Sequence, residues 1–204
     1  MSDHLVESYD KQLELINSNL VKMGGLVEQQ VKDSLKALDE KDTEFAEEIL
    51  KKDDKIDNLE KDIYALAYKI IAMRQPMAND LRTVVSALSI ANDLERMGDH
   101  ATNVAKRVAN VKVSMPSQSI SKIVQMGDDV QKMIKNVLDA FIKMSEKKAL
   151  NVWDSDIDID ETYLEIYREL LQTMADNPDT INGCAHLLTT VSYTHLTLPT
   201  TKQV

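Results

Sequence analysis

The chain is poor in everything that punctuates or staples a fold. Of its 204 residues five are glycine, four proline and one cysteine, and aromatics make up 4%. So few backbone breakers imply long uninterrupted elements, which favours helices over a turn-rich β architecture. A lone Cys184 excludes an internal disulfide framework and a cysteine-rich zinc site. No apolar run approaches the roughly 20 residues of a bilayer span, and the opening Met-Ser-Asp-His lacks the basic-then-apolar pattern of a secretory leader. The expectation is a cytoplasmic protein with no membrane insertion. Basic residues are also short, 24 against 34 acidic, for a net charge of −10. A surface that negative repels nucleic acid and attracts cations and basic protein patches.

Apolar periodicity is what the chain does have. Tyr9, Leu13, Ile16, Leu20, Met23, Val27, Val31, Leu35 and Leu38 step by threes and fours, the period of one helix face with a coiled-coil-like seam. Gly24-Gly25 interrupts this helix and marks either a kink or the close approach of another helix. The spacing predicts a second helix capped by Asp42, with Phe45, Ile49, Ile56, Leu59, Ile63, Leu66, Ile70 and Met73 on its face, Lys52 in one apolar slot, and Pro76 as its end. A third is predicted from Met77 to Val113, with Leu81, Val84, Leu88, Ala91, Glu95, Gly98, Thr102, Ala105 and Ala109 in its seam. Ser114 to Gln118 reads as a linker. A fourth helix carries Ile120, Ile123, Gly127, Val130, Ile134, Val137, Phe141 and Met144; a fifth follows the acidic patch Asp154–Asp160 and runs to about Ala175.

The two halves are related. A shift of 103 residues lays Met23-Gly24 on Met126-Gly127, Val31 on Ile134, Leu38 on Phe141, Asp57 on Asp160 and Tyr64 on Tyr167. The chain therefore reads as an all-α tandem repeat of three-helix bundles with long antiparallel helices: a first unit over 1–115, a second over 116–188, and a tail over 189–204.

Chemistry concentrates in Asn92-Asp93-Leu94-Glu95-Arg96-Met97-Gly98-Asp99-His100. Glu95 occupies an apolar register between Ala91 and Gly98, and Asp99 follows one turn later on nearly the same face. A carboxylate in a helix seam costs several kcal/mol unless something neutralises it: a base such as Arg74 or Arg82, or a metal ion. Asp53, Asp57 and Glu60 form a second acidic stripe on the preceding helix, so a hairpin of the two can set carboxylates face to face. Oxygen-only ligands suit hard cations. Asp156 and Asp160 repeat the Asp53 and Asp57 positions. No Glu-x-x-His pair, phosphate loop or nucleophile with its base is present, although an exposed His100 is a formal phosphoryl acceptor.

The run Leu94-Glu95-Arg96-Met97-Gly98-Asp99-His100-Ala101-Thr102-Asn103-Val104-Ala105, the duplicated Met-Gly with Asp-x-x-Ile-Asp, and Asn177-Pro178 through Leu188 resemble the PhoU family of phosphate-signalling regulators. The resemblance implies two three-helix repeats and metal bound through carboxylate boxes, here Asp53, Asp57, Glu95 and Asp99, with Asp156 and Asp160 in the second repeat. It implies iron, zinc, manganese or magnesium as the metal, and a homodimer. The role it implies is not enzymatic: a negative regulator linking a phosphate ABC transporter, through its ATPase subunit, to a sensor histidine kinase. A metal-dependent carboxylate-bundle enzyme and a metal-free structural adaptor are the alternatives.

The tail departs from that pattern. The shift of 103 sends Glu95 to Leu198 and Asp99 to Lys202, and six of the sixteen residues from Thr189 are Thr, against six in the preceding 188. Threonine at that density forms helix poorly, and Pro199 breaks it. The expectation is a tail foreign to the family, a missing sixth helix and a second bundle left incomplete.

Overall fold

The computed structural model of the chain describes residues 2–52, 54–111 and 117–195, with side chains between 9 and 194. Among these residues it is all helix: α1 (Ser2–Glu40), α2 (Thr43–Leu50), α3 (Asp54–Arg74), α4 (Ala78–Val108), α5 (Ser117–Ile142), α6 (Glu146–Asp176) and α7 (Ile181–His195), with a 3-10 turn at Pro178–Thr180 before α7. α1 packs with α2, α3 and α4 as the first bundle, and α5 with α6 and α7 as the second.

The repeat is visible down to single atoms. α1 ends with Lys41 left-handed (φ 56°) and α5 with Met144 left-handed (φ 47°). After these, the Asp42 amide donates to Ala37 O at 2.9 Å and the Ser145 amide to Ala140 O at 2.9 Å, the six-to-one bond that closes a helix C-terminus. Asp42 then accepts from the Phe45 amide to cap α2, and Ser145 from the Lys148 amide to cap α6. Every pair differs by 103.

The same offset governs how the halves meet. α1 is uninterrupted at Gly24-Gly25, and Gly24 marks a close approach of another helix. A Cβ on Gly24 would lie 2.2 Å from Leu138 Cδ1, and one on Gly127 would lie 1.9 Å from Leu35 Cδ1. Gly24 and Gly127 correspond, as do Leu35 and Leu138. The α1–α5 seam is thus antiparallel and pseudo-twofold, each half donating a leucine into the glycine notch of the other, as in an isologous dimer interface. Gly25 faces open space.

Three elements differ from the sequence reading. The second helix is two, because Lys51-Lys52 form a turn in which the Lys52 amide reaches Ile49 O at 3.0 Å. A lysine in an apolar slot leaves that turn with nothing to bury. The acidic patch at 154–160 lies inside α6, held by buried Val152, Ile159 and Ile166 at sevenfold spacing. The α4 core runs through Val84, Ala87, Ala91, Leu94, Met97, Ala101, Val104 and Val108, with Glu95 half-buried on its flank and Leu81 and Ala109 exposed.

The sixth helix is present as α7, with 15 residues against 31 in α4. It continues through 189–195 despite the threonines because α4, α5 and α6 bury one of its faces, while the hydroxyls turn back onto the helix. Thr189, Thr190 and Thr194 donate to Ala185 O, His186 O and Thr190 O at 2.9–3.0 Å, satisfying the hydroxyl within the element. Leu187, Thr190 and Val191 are fully buried. Residues 196–204 lie outside the described residues.

Candidate functional site

The α3–α4 hairpin sets the predicted carboxylate stripes against each other. Ile56, Leu59, Ile63 and Ile70 bury one face of α3, which leaves Asp57 and Glu60 half-buried at its edge. On α4, Ala91, Leu94 and Gly98 are buried, Asp93 and Glu95 are half-buried, and Asp99 is exposed.

Electrostatics ties the stripes together. The Glu60 carboxyl is pushed above its ordinary value, first by burial, then by the negative charge of Asp57, with Lys61 opposing and Asp99 across the hairpin adding to it. The Tyr64 phenol, one turn further along α3, is also pushed up, by burial first and then by Glu60, Tyr68, Asp93 and Glu95. Acidic groups from both helices therefore act on one another across the hairpin.

Arg74 and Arg82 both lie away from the Glu60–Glu95 level of the hairpin. Arg82 is exposed and thirteen residues from Glu95 on the same helix, about 20 Å away at 1.5 Å per residue. Arg74 ends α3, fourteen residues past Glu60, and its Nε donates to Gln12 Oε1 on α1 at 3.2 Å.

Asp57 and Glu60 on α3 and Glu95 and Asp99 on α4 thus lie within electrostatic reach of the same hairpin groups, Glu60 feeling Asp57 and Asp99 and Tyr64 feeling Glu60 and Glu95. Asp53 lies outside the described residues. Asp156 is half-buried and Asp160 exposed on α6; α7 offers them no Asp or Glu, and Leu198 and Lys202, the counterparts of Glu95 and Asp99, are outside the described residues. Oxygen-only donors with a repelling carboxylate among them fit a hard cation chemically. Among the described residues no group of three or more His, Cys, Asp or Glu is placed so that it could hold a metal ion.

A second polar cluster escaped the sequence reading. His100 points away from Asp99 into the junction with α7, its ring stacked on Tyr193 at 5.0 Å between centroids and 22° between planes. Its Nδ1 is buried with no hydrogen-bond partner, and burial first, then Arg96, lowers its pKa against the pull of Asp99. An exposed phosphoryl acceptor it is not. Arg107 Nη2 donates to the Tyr193 hydroxyl at 3.3 Å and Nη1 lies 3.4 Å from His186 Nδ1. These contacts lock α4 of the first bundle to α7 of the second. On the other side of α4, buried Gln30 of α1 donates to Thr102 Oγ1 at 2.8 Å.

Comparison with known proteins agrees with this architecture. The family model described as PhoU domain matches twice, over residues 20–108 and 123–196. The phosphate-specific transport system accessory protein PhoU homolog of Caulobacter vibrioides (strain NA1000 / CB15N) is 40% identical over 189 residues, spanning 92% of this chain and 82% of the relative. Its namesake in Clostridium acetobutylicum is 37% identical over 186 residues, 91% of this chain and 85% of the relative. The crystal structure of PhoU from Pseudomonas aeruginosa superposes with a TM-score of 0.85 at 32% identity, covering 96% of this chain and 92% of that one. PhoU from Streptococcus pneumoniae gives a TM-score of 0.79 at 29% identity, over 92% of each chain.

Proposed function

The chain belongs to the PhoU family, and from that premise we propose that it is a cytoplasmic negative regulator of phosphate uptake and phosphate-starvation signalling. The observation that carries the reading is the double match of the PhoU domain, falling on the two bundles that the 103-residue offset relates. The relatives are named accessory proteins of a phosphate-specific transport system, which supports a regulatory and not an enzymatic role. Among the described residues no helix is long and apolar enough to cross a membrane, so membrane-bound partners are met at a surface.

In this reading the protein is an adaptor, a homodimer in solution, that contacts the ATPase subunit of a phosphate ABC transporter and a sensor histidine kinase. Asp57, Glu60, Glu95 and Asp99, with Asp53, would hold a hard cation such as manganese, magnesium or iron, zinc suiting an all-oxygen set less well. Asp156 and Asp160 would contribute a second, weaker site. A cation bound there would supply charge neutralisation, allowing the α3 and α4 carboxylates to stay ionised side by side.

Co-purification tests the adaptor role. The tagged chain, expressed beside the transporter ATPase subunit and the sensor kinase of its host, is expected to retain both when phosphate is plentiful. Retention of neither under those conditions removes it.

A further inference from the structure

The turn between α3 and α4 exposes apolar side chains that the fold does not use. Met73, in the last turn of α3, is 69% exposed, and Met77, the residue that opens α4, is 81% exposed. Leu81 and Val85 follow on α4 at 39% and 48%. Steps of four keep Met77, Leu81 and Val85 on one side of the helix over about 12 Å. The buried face of α4 runs instead through Val84, Ala87 and Ala91. Glu95 lies fourteen residues beyond Leu81, about 21 Å along the helix, so the patch stops well short of the carboxylate stripes.

Local backbone chemistry does not account for the turn. Gln75 and Ala78 are both left-handed, with φ 48°, a conformation that is costly for a residue with a Cβ. The Met77 side chain makes no capping bond to α4, since a thioether is a weak acceptor. The turn after α6 has the opposite character. There Asn177 accepts from the Asp179 amide, and none of residues 176–181 is left-handed. The repeat can therefore make this connection without strain and with a capping side chain. The first bundle instead carries a strained turn with two exposed methionines, side chains that adapt their shape to whatever covers them.

Charge selects the occupant. Between Ile63 and Asn92 the sequence has three basic residues, Lys69, Arg74 and Arg82, and one acidic, Asp80, in a chain of net charge −10. Arg74 donates to Gln12, while Lys69 and Arg82 are exposed, Lys69 one turn before Met73 and Arg82 beside Leu81 in sequence. The Tyr9 phenol of α1, pushed up first by burial, also feels Asp80 and Asp10, so the acidic charge lies toward α1. The amides that open α4 add the positive end of its dipole. An anionic bilayer would meet the acidic remainder of the molecule as well, whereas a single helix meets this patch alone.

We infer that the α3–α4 turn is a docking surface for an acidic amphipathic helix of a partner protein, with its apolar side on Met73, Met77, Leu81 and Val85. Its carboxylates lie toward Lys69, Arg82 and the start of α4. The inference deepens the adaptor reading, and takes from it only that a protein partner exists.

Methionine methyl signals test it. The full chain, labelled with carbon-13 at its methionine methyls, is titrated with a 14-residue amphipathic helical peptide of leucine and glutamate. A leucine–lysine peptide of the same apolar pattern and phosphatidylglycerol vesicles are run beside it. Met73→Leu and Met77→Leu assign the two signals. The Leu/Glu peptide is expected to shift both saturably, leaving buried Met23 and Met97 in place, and also Met144, which is 65% exposed in the α5–α6 turn. The Leu/Lys peptide and the vesicles are expected to shift neither. Leu81→Ser and Arg82→Glu, both at exposed positions, are each expected to weaken binding about tenfold, the equivalent of about 1.4 kcal/mol, with far-UV circular dichroism unchanged. Four results overturn the proposal: no saturable shift with the Leu/Glu peptide, an equal response to the Leu/Lys peptide or the vesicles, a parallel shift of Met144, or unchanged affinity in both variants. Any of these removes the surface and leaves the adaptor reading to the co-purification test. A failed co-purification beside a positive titration removes the adaptor reading alone.

Discussion

Alanine at Gly24 and alanine at Gly25 are expected to move stability in opposite directions, although the two positions are adjacent in one helix. Either change removes a helix-interior glycine, worth about 0.5–1 kcal/mol in favour of the variant. Gly25 faces open space, so Gly25→Ala keeps the whole gain. A methyl at Gly24 lies 2.2 Å from Leu138 Cδ1, and Ile134 Cγ2 is already 4.0 Å from that methyl position. Leu138 is 6% exposed, so its side chain has little room to turn away. Overpacking of this kind costs about 1–3 kcal/mol, and Gly24→Ala should fall about 1–3 kcal/mol below Gly25→Ala. Gly127→Ala, with its contact at 1.9 Å from Leu35, should behave as Gly24→Ala does. Urea midpoints measure all three. In a Leu138→Ala background the new methyl enters vacated space, so Gly24→Ala should there become neutral or stabilising. Equal gains from Gly24→Ala and Gly25→Ala would refute the notch.

The remaining expectations concern the turns and the two polar clusters. Lys41 is left-handed with φ 56°, so Lys41→Gly should stabilise by about 1 kcal/mol, read as a raised urea midpoint. The His100 pKa is lowered in the folded protein; its contribution is therefore intact above the ordinary histidine value and lost as pH falls through it. Stability should drop between about pH 7 and pH 5, and His100→Phe, which keeps the stack on Tyr193, should flatten that dependence; an unchanged slope contradicts it. Glu60 is the reverse, a carboxyl raised in the fold, whose penalty is absent at acid pH and present at neutral pH. Glu60→Gln should thus stabilise the metal-free protein at pH 7 and not below about pH 4, and manganese should reverse the order. Elemental analysis should find metal in the parent that Glu95→Ala/Asp99→Ala loses, and no metal in either would leave those carboxylates a structural feature.

What the sequence discloses follows from what each signal measures. Seam periodicity and the 103-residue offset located the bundles, because buried apolar positions recur wherever helices pack. The same offset that pairs Gly24 with Gly127 also pairs their leucine partners, so the pseudo-twofold seam is implicit in the repeat. The break at Lys51-Lys52 was harder to see, since one polar residue in an apolar register is compatible with both a snorkelling side chain and a broken helix. Spacing alone puts Glu95 in the seam, whereas the fold leaves it half-buried on the flank. A helix touched by α1, α2, α3 and α7 buries a wide arc, and spacing does not say where that arc ends. His100 and Tyr193 lie 93 residues apart and share no period, so their stack leaves no trace in a pattern search. The threonines of α7 form helix against their propensity because propensity scales describe isolated helices, whereas here α4, α5 and α6 bury the face.

The central claim, that this chain restrains the phosphate-starvation response, is tested most directly with a reporter of that response in phosphate-rich medium. In a strain whose own family member is deleted, the reporter is expected to be on, and expression of this chain is expected to switch it off. A reporter that stays on, with the protein present and folded, would contradict the account.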